Sequence, residues 1–354
     1  MTRVLPLILL VAASCAPPDD LGRACSEGCD LPAPDAAVPD GSITDGDGDG
    51  GSDGDGGVID APREMHGLCV DVACTMIAPE VLAYDPRWDL YSDGAVKRRW
   101  IYLPPGEKID TSLVDWWKFP VGTKLWKEFV RDGVRVETRY LEKTGVGDED
   151  WTFITYAWSP DQTTATAVPL GQQNVNGTQH DIPPAETCRK CHANTRSYVL
   201  GFSAFQLDYD APAGNVDLDD AIARGWLSSP PSGSSPHYPV PGNAQQQAAL
   251  GYLHANCGHC HNSKSQLVNR PSFRIESGFC DTLANTKTYR TAVNVAGQTP
   301  FDGATIIAKP GDPARSIIIT RMLSTNPNKR MPWLGGELAD PAGLTLLRGW
   351  ITNL

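Results

Sequence analysis

The 354-residue chain has little that would suit it to a membrane interior or to nucleic acid. Outside the N-terminus it has no apolar run of the roughly 18 residues that a spanning helix needs, so no transmembrane bundle is expected. It has no surplus of positive charge: 30 Lys and Arg stand against 42 Asp and Glu, a formal net charge of −12. That balance excludes a nucleic-acid binder that works by neutralising phosphates. It has no glycine-rich phosphate loop, and residues 63–184 hold no His/Asp/Glu cluster with metal-ligand spacing. Methionine is scarce, five in all, and none lies between His192 and Cys257. Cysteine is the residue in intermediate supply. Ten are too few for a small disulfide scaffold and many for a reducing compartment, so their positions decide the reading.

The first of them to matter is Cys15. Arg3, an apolar run over residues 4–11 broken only by Pro6, and the small residues Ala12-Ala13-Ser14 read as an export signal over 1–14. With Cys15 next in line, the pattern resembles the lipobox of bacterial lipoproteins, which implies acylation of Cys15; an ordinary cleavable signal is the alternative. Residues 15–62 are rich in Asp, Gly and Pro and cannot bury enough apolar surface to order themselves, so they are expected to form a solvated tether. The acidity belongs to this tether. Residues 15–60 carry eleven Asp and one Glu against Arg23, whereas the chain from Ala61 onward is nearly neutral. The Asp-Gly alternation lacks the ligand spacing and terminal Glu of a calcium loop.

From 63 to 184 the pattern is short aromatic and β-branched runs separated by turns. Runs over 125–130 and 134–141 flank Asp132-Gly133, a two-residue hairpin signal. Without an amphipathic helix between them, such strands predict a β-rich N-terminal domain of sandwich or barrel type. Seven of the ten tryptophans lie here, and they are expected to fill its core rather than to form a stacking platform for a glycan or partner.

Cys188-Arg189-Lys190-Cys191-His192 and Cys257-Gly258-His259-Cys260-His261 both fit CxxCH, the attachment signature of c-type haem. Cysteines three apart on a helical turn point the same way and can add across two haem vinyl groups, and the adjacent His supplies an imidazole to iron. Composition alone predicts on the order of 0.006 such motifs in a chain of this length. Zinc and disulfides within each pair are the rivals. Zinc ribbons place their pairs about 15–20 residues apart and do not require a His after each pair, which favours haem. The cofactor expected is therefore two covalently bound haem c groups, held by Cys188 and Cys191 and by Cys257 and Cys260, with His192 and His261 on the irons.

The second motif is preceded by a helical pattern over 244–255. It is followed by a helix opening at Asp312-Pro313, by Arg330-Met331-Pro332, and by a final helix from Asp340-Pro341. Residues 243–354 thus resemble a class I-type cytochrome c domain. The resemblance implies that Met331 is the sixth ligand of the second haem and that Gly251 admits the terminal helix near Trp350. For the first haem, His180, His237 and His254 are candidates, or the position is open. Residues 85–354 as a whole resemble a family of secreted bacterial dihaem c-type proteins. The family has a "YSDGA-K-RW-YLPPG" element (residues 91–106 here) and an "FPVGT-L-K-F" element (119–129) before two CxxCH segments.

The expected architecture is multidomain: a β-rich sandwich- or barrel-like domain (63–184), a first haem segment (185–242), and a mostly α cytochrome c-type domain (243–354). The expected activity is electron transfer with redox partner proteins, outside the cytoplasm and anchored to a bacterial membrane by lipid, on its periplasmic or surface face. A dihaem peroxidase-type enzyme acting at the first haem, and a binding module coupled to a redox chain, are the alternatives. Cys25/Cys29 and Cys69/Cys74 can pair locally and leave Cys280, or Cys280 can take one of the latter.

Overall fold

The computed structural model describes residues 65–354 apart from 266, 268, 269, 334 and 336, and these belong to one compact unit. The export signal, the acylation candidate Cys15, the tether, and Cys25 and Cys29 lie outside the described residues.

Six strands form one antiparallel sheet in chain order. They are β1 (Leu82–Ala83), β2 (Val96–Tyr102), β3 (Lys124–Arg131), β4 (Val134–Lys143), β5 (Trp151–Trp158) and β6 (Ala165–Ala167). Asp132 and Gly133 join β3 to β4 with φ of 51° and 80°, the pair of left-handed conformations that a tight hairpin requires. The register aligns Trp100, Trp126 and Tyr140 on one face and Ile101, Leu125, Leu141 and Phe153 on the other. Both faces are covered, so both rows are apolar.

Residues 65–81 cover the first face. Trp126 Nε1 donates to the Met65 carbonyl at 2.8 Å, His66 stacks on Tyr140 at 4.4 Å, and a Cys69–Cys74 disulfide closes the segment. Residues 199–227 cover the second face with Phe202, Leu207 and Leu218. Five of the seven tryptophans of the β region are buried in these cores, Trp116 is buried under the Arg274 guanidinium, and Trp88 is half-buried.

After the sheet come α1 (Cys188–His192), α2 (Ala204–Leu207), α3 (Leu218–Ala223), α4 (Ala244–Asn256) and α5 (Lys287–Ala292). The hairpin β7 (Ala296–Phe301) and β8 (Ala304–Ile306) follows, then α6 (Ile317–Met322) and α7 (Pro341–Thr352). α4 opens with an Asn243–Gln246 capping box, and α7 with Asp340 capping Ala342 and Gly343 ahead of Pro341. Their apolar faces meet through Ala249, Leu253, Leu344, Leu347 and Trp350.

The expected architecture of a sandwich or barrel plus a mostly α cytochrome c-type domain is overturned. The protein is built mainly on one open six-stranded sheet, with β1 and β6 at its edges. Helices are few, and among the described residues only α4 and α7 are longer than six residues. The physical reason is punctuation. Gly297, Pro300, Gly303, Pro310 and Gly311 interrupt the stretch between α5 and α6. Asp302 and Gly303, both at positive φ, turn β7 into β8 where a helical domain was expected. Asp312-Pro313 opens only the 3-10 turn Pro313–Arg315, because Ser316 is extended before α6 begins.

Gly251 also has a different neighbour from the one expected. A Cβ there would fall within the Trp88 indole, whereas α7 makes its close approach at Gly343, against the Tyr252 ring. Gly251→Ala should therefore cost about 1–3 kcal/mol through forced displacement of Trp88. Urea denaturation checks this; an unchanged midpoint would show that Trp88 moves aside freely.

Candidate cofactor site

The two CxxCH motifs open onto two adjoining cavities of about 580 and 920 Å³, both within the roughly 300–1,000 Å³ typical of ligand pockets. Cys188, Cys191 and His192 line the smaller one, and Cys257, Cys260, His261 and Met331 line the larger one. Cys191 and His259 line both.

In the first motif, α1 supplies the single turn that brings Cys188 and Cys191 to one side. The ring of His192 meets the edge of Phe153, a residue of the sheet, at 5.0 Å. Its Nδ1 pairs with the Tyr198 carbonyl at 2.6 Å, which fixes Nδ1 as the protonated nitrogen and leaves Nε2 for a metal. Burial pulls the His192 pKa down to about 4, so the ring is neutral near pH 7. Burial raises the Cys188 pKa in turn.

The second motif follows the end of α4 in a turn, with the amides of Cys260 and His261 donating to the Cys257 carbonyl at 3.1 and 2.8 Å. The Pro271 carbonyl acts on His261, though Nδ1 itself has no hydrogen bond of ordinary geometry. Burial lowers the His261 pKa to about 4 and raises that of Cys257 to about 12. Asn256 ties this motif to the chain ahead of β2: its Oδ1 accepts from the Tyr91 amide at 2.7 Å, and its Nδ2 donates to the Asp89 carbonyl at 3.0 Å. The segment after Met331 is held likewise, with the Leu338 amide donating to Asp93 at 2.7 Å.

The walls differ in charge: Asp93, Asp181 and Glu337 bring carboxylates to the smaller cavity. Ile307, Ile317, Ile318, Met322 and Phe273 give the larger cavity its apolar side. Lys190, Arg270, Arg290, Arg321 and Lys329 also line it, with no carboxylate among the described lining residues. In the smaller cavity the sheet contributes Lys127 and Arg139, which are register partners on β3 and β4. Arg139 pairs with Glu137, whereas Lys127 has no ion-pair partner among the described residues. Burial, followed by the nearby Arg99, Arg139 and Lys97, pushes the Lys127 pKa far down.

Of the histidines considered for the first motif, only His180 reaches its cavity. There it is held by Glu137 Oε1 at 2.8 Å. His237 is engaged by Asp219 at 2.9 Å, and His254 accepts from the Ile275 amide at 3.0 Å; neither lines either of these two cavities. His259, Lys127, Arg139 and Asn256 escaped the sequence reading. His259 was hidden as filler inside CxxCH, and the two cations as ordinary strand residues. Of the remaining cysteines, Cys69 and Cys74 are paired with each other, while Cys280 is free and donates to the Glu276 carbonyl at 3.2 Å. None of the four CxxCH cysteines is in a disulfide.

The thiols and imidazoles give both cavities donors for a metal ion, and the apolar wall of the larger one gives a surface for an apolar group. Cys191, His259 and Cys260 also lie with one ligand atom each inside 4.8 Å, close enough to share a metal ion if those thiols stay free. In comparisons with known proteins, no family model, curated protein or solved structure matches the chain.

His254 gives the site's foundation an acid sensitivity. Its folded pKa lies well below the ordinary value, chiefly through burial, so the unfolded chain takes up a proton that the folded chain refuses. Stability is then full above about pH 6.5 and falls as the pH drops. His254→Asn, which keeps an acceptor for the Ile275 amide, should lose less stability than the parent between about pH 7 and pH 5. Equal losses in urea denaturation would assign the sensitivity to other groups.

Proposed function

We propose that the chain is a dihaem c-type cytochrome of the secreted bacterial kind that residues 85–354 resemble. In this reading it is exported, anchored through an acylated Cys15, and carries electrons between redox partner proteins. Cys188 and Cys191 hold one haem and Cys257 and Cys260 the other, with His192 and His261 as axial ligands. Met331 serves as the sixth ligand of the second haem.

The observation that carries this reading is electrostatic. A cavity lined by an apolar wall and by five cations, four of them exposed at its mouth, with no carboxylate among its described lining residues, suits an anionic, mostly apolar occupant, and a haem brings two propionates on a hydrocarbon ring. Two features add support. Each motif opens on its own cavity, and His192 keeps Nε2 for a metal. A bound haem supplies one-electron exchange at iron, and a Met ligand raises its potential. No helix among the described residues is long and apolar enough to cross a membrane, so membrane attachment in this reading rests on Cys15.

One specific observation favours a second reading, catalysis on a small oxidant at the first haem. The cavity of His192 holds no methionine among its described lining residues but does hold His180, positioned by the Glu137 carboxylate.

Matured protein should contain two covalent haems per chain by alkaline pyridine spectrum; none would overturn the proposal. Met331→Ala should lower the midpoint potential of one haem and leave the other in place, and an unmoved pair would remove Met331 from the ligand set. Added cyanide or peroxide separates the two readings. Two six-coordinate haems whose spectra do not respond favour the carrier, and one that responds favours the enzyme.

A further inference from the structure

The wall between the two cavities brings together side chains from both motifs. Cys191 of the first, and His259 and Cys260 of the second, each offer one ligand atom, and these atoms all lie within 4.8 Å of one another. Cys191 and His259 line both cavities, so the group has open space in front of it. The dihaem reading gives His259 no role, since it is neither an attachment point nor an axial ligand. Its Nδ1 is nonetheless buried without a hydrogen-bond partner of ordinary geometry among the described residues. A buried ring nitrogen left unpaired is costly, and a metal ion answers it.

The group is braced from outside. Asn262 Nδ2 reaches the carbonyls of Gly258 and His259 at 2.9 and 3.0 Å, which steadies the turn that carries His259. The same nitrogen reaches the Asn194 carbonyl at 3.0 Å and so ties that turn to the chain just past the first motif. The Asn194 side-chain nitrogen stands 3.9 Å from Cys260 Sγ, a donor placed behind a ligand atom in the way that steadies metal sites. Charge narrows the choice of ion. Lys190, Arg270 and Lys329 line the larger cavity and would repel a bare divalent cation, but two thiolates cancel that charge.

We propose that, while its cysteines are free, the chain binds one zinc ion through Cys191, His259 and Cys260. Two thiolates and an imidazole are a soft donor set that suits zinc, and the fourth tetrahedral position falls to water from the cavity. Binding releases the two thiol protons to solvent and oxidises nothing. The ion and the haems exclude one another, because a sulfur that has become a thioether no longer brings thiolate charge. The site therefore belongs to the chain before haem is attached, and it holds the two motifs together at that stage. Only this assignment of stage rests on the dihaem reading.

The full chain, made in a host that cannot attach haem and kept reduced, is titrated with cobalt(II) and then with zinc. One cobalt per chain should bind, with thiolate-to-cobalt charge-transfer absorption and the strong visible bands of a tetrahedral site, and zinc should bleach both. His259→Ala should weaken zinc binding roughly tenfold or more, since losing a ligand costs no less than losing a group behind one. Zinc should also raise the urea midpoint of the parent, a readout that needs no variant. A parent with no charge-transfer band, or a folded His259→Ala that binds zinc as tightly as the parent, would overturn the site. So would a loss of zinc in Cys188→Ser or Cys257→Ser as severe as in Cys191→Ser, which would assign the ion to the four paired cysteines. The two proposals fail separately. A matured chain without haem removes the dihaem reading and leaves the zinc titration standing, and a failed titration leaves the haem count untouched.

Discussion

Positive charge held inside a protein without a partner is costly, and this cost shapes the molecule. The strand register places Arg99, Lys127 and Arg139 side by side on the sheet face that also carries Ile101, Leu125 and Leu141. Arg99 is answered by Asp85 and Asp89, and Arg139 by Glu137. Lys127 lines the cavity of the first motif with its pKa pushed far down by burial, whereas Arg270 and Arg290 line that of the second from exposed positions and escape the cost. The apolar end of the sheet builds the core, and its charged end lines the cavity of the first motif, where Asp93, Asp181 and Glu337 stand with Lys127 and Arg139.

The same economy explains why the sheet and the CxxCH segments form one unit. Each motif is steadied by groups from distant chain: Phe153 against His192, Asp89 and Tyr91 on Asn256, Asp93 on the segment after Met331. The tryptophans that a glycan-binding surface would need are used in the cores. What remains at the surface near the motifs is the mouth of the larger cavity, where Met331 and Trp333 are both partly exposed.

Local chemistry was readable from the residues, and long-range covering was not. Asp132-Gly133 announced its hairpin, the apolar pattern over 244–255 announced α4 and Asp340-Pro341 announced α7, because turns, caps and helix faces are decided by nearby residues. Both CxxCH motifs were visible for the same reason. The sandwich or barrel was not realised, because strand count alone does not say whether a second sheet or irregular chain will cover a face; here residues 65–81 and 199–227 do so. The mostly α C-terminal domain failed on a signal that was present. Asp302-Gly303 has the same hairpin chemistry as Asp132-Gly133, but it was outweighed by the pattern of the flanking helices. Lys127 and Arg139 could not be found by motif, since only strand pairing brings them together, and His259 needed the fold to show that it borders both cavities.

The sheet also limits how anything can dock. Its edge strands are only two and three residues long, while the strands between them run to seven, eight and ten. β1 pairs only with Trp100 and Ile101 of β2, and β6 only with Tyr156, Ala157 and Trp158 of β5, so each longer strand runs on past its short neighbour. A strand from another chain would find its backbone ladder along β2 ahead of Arg99 rather than along β1.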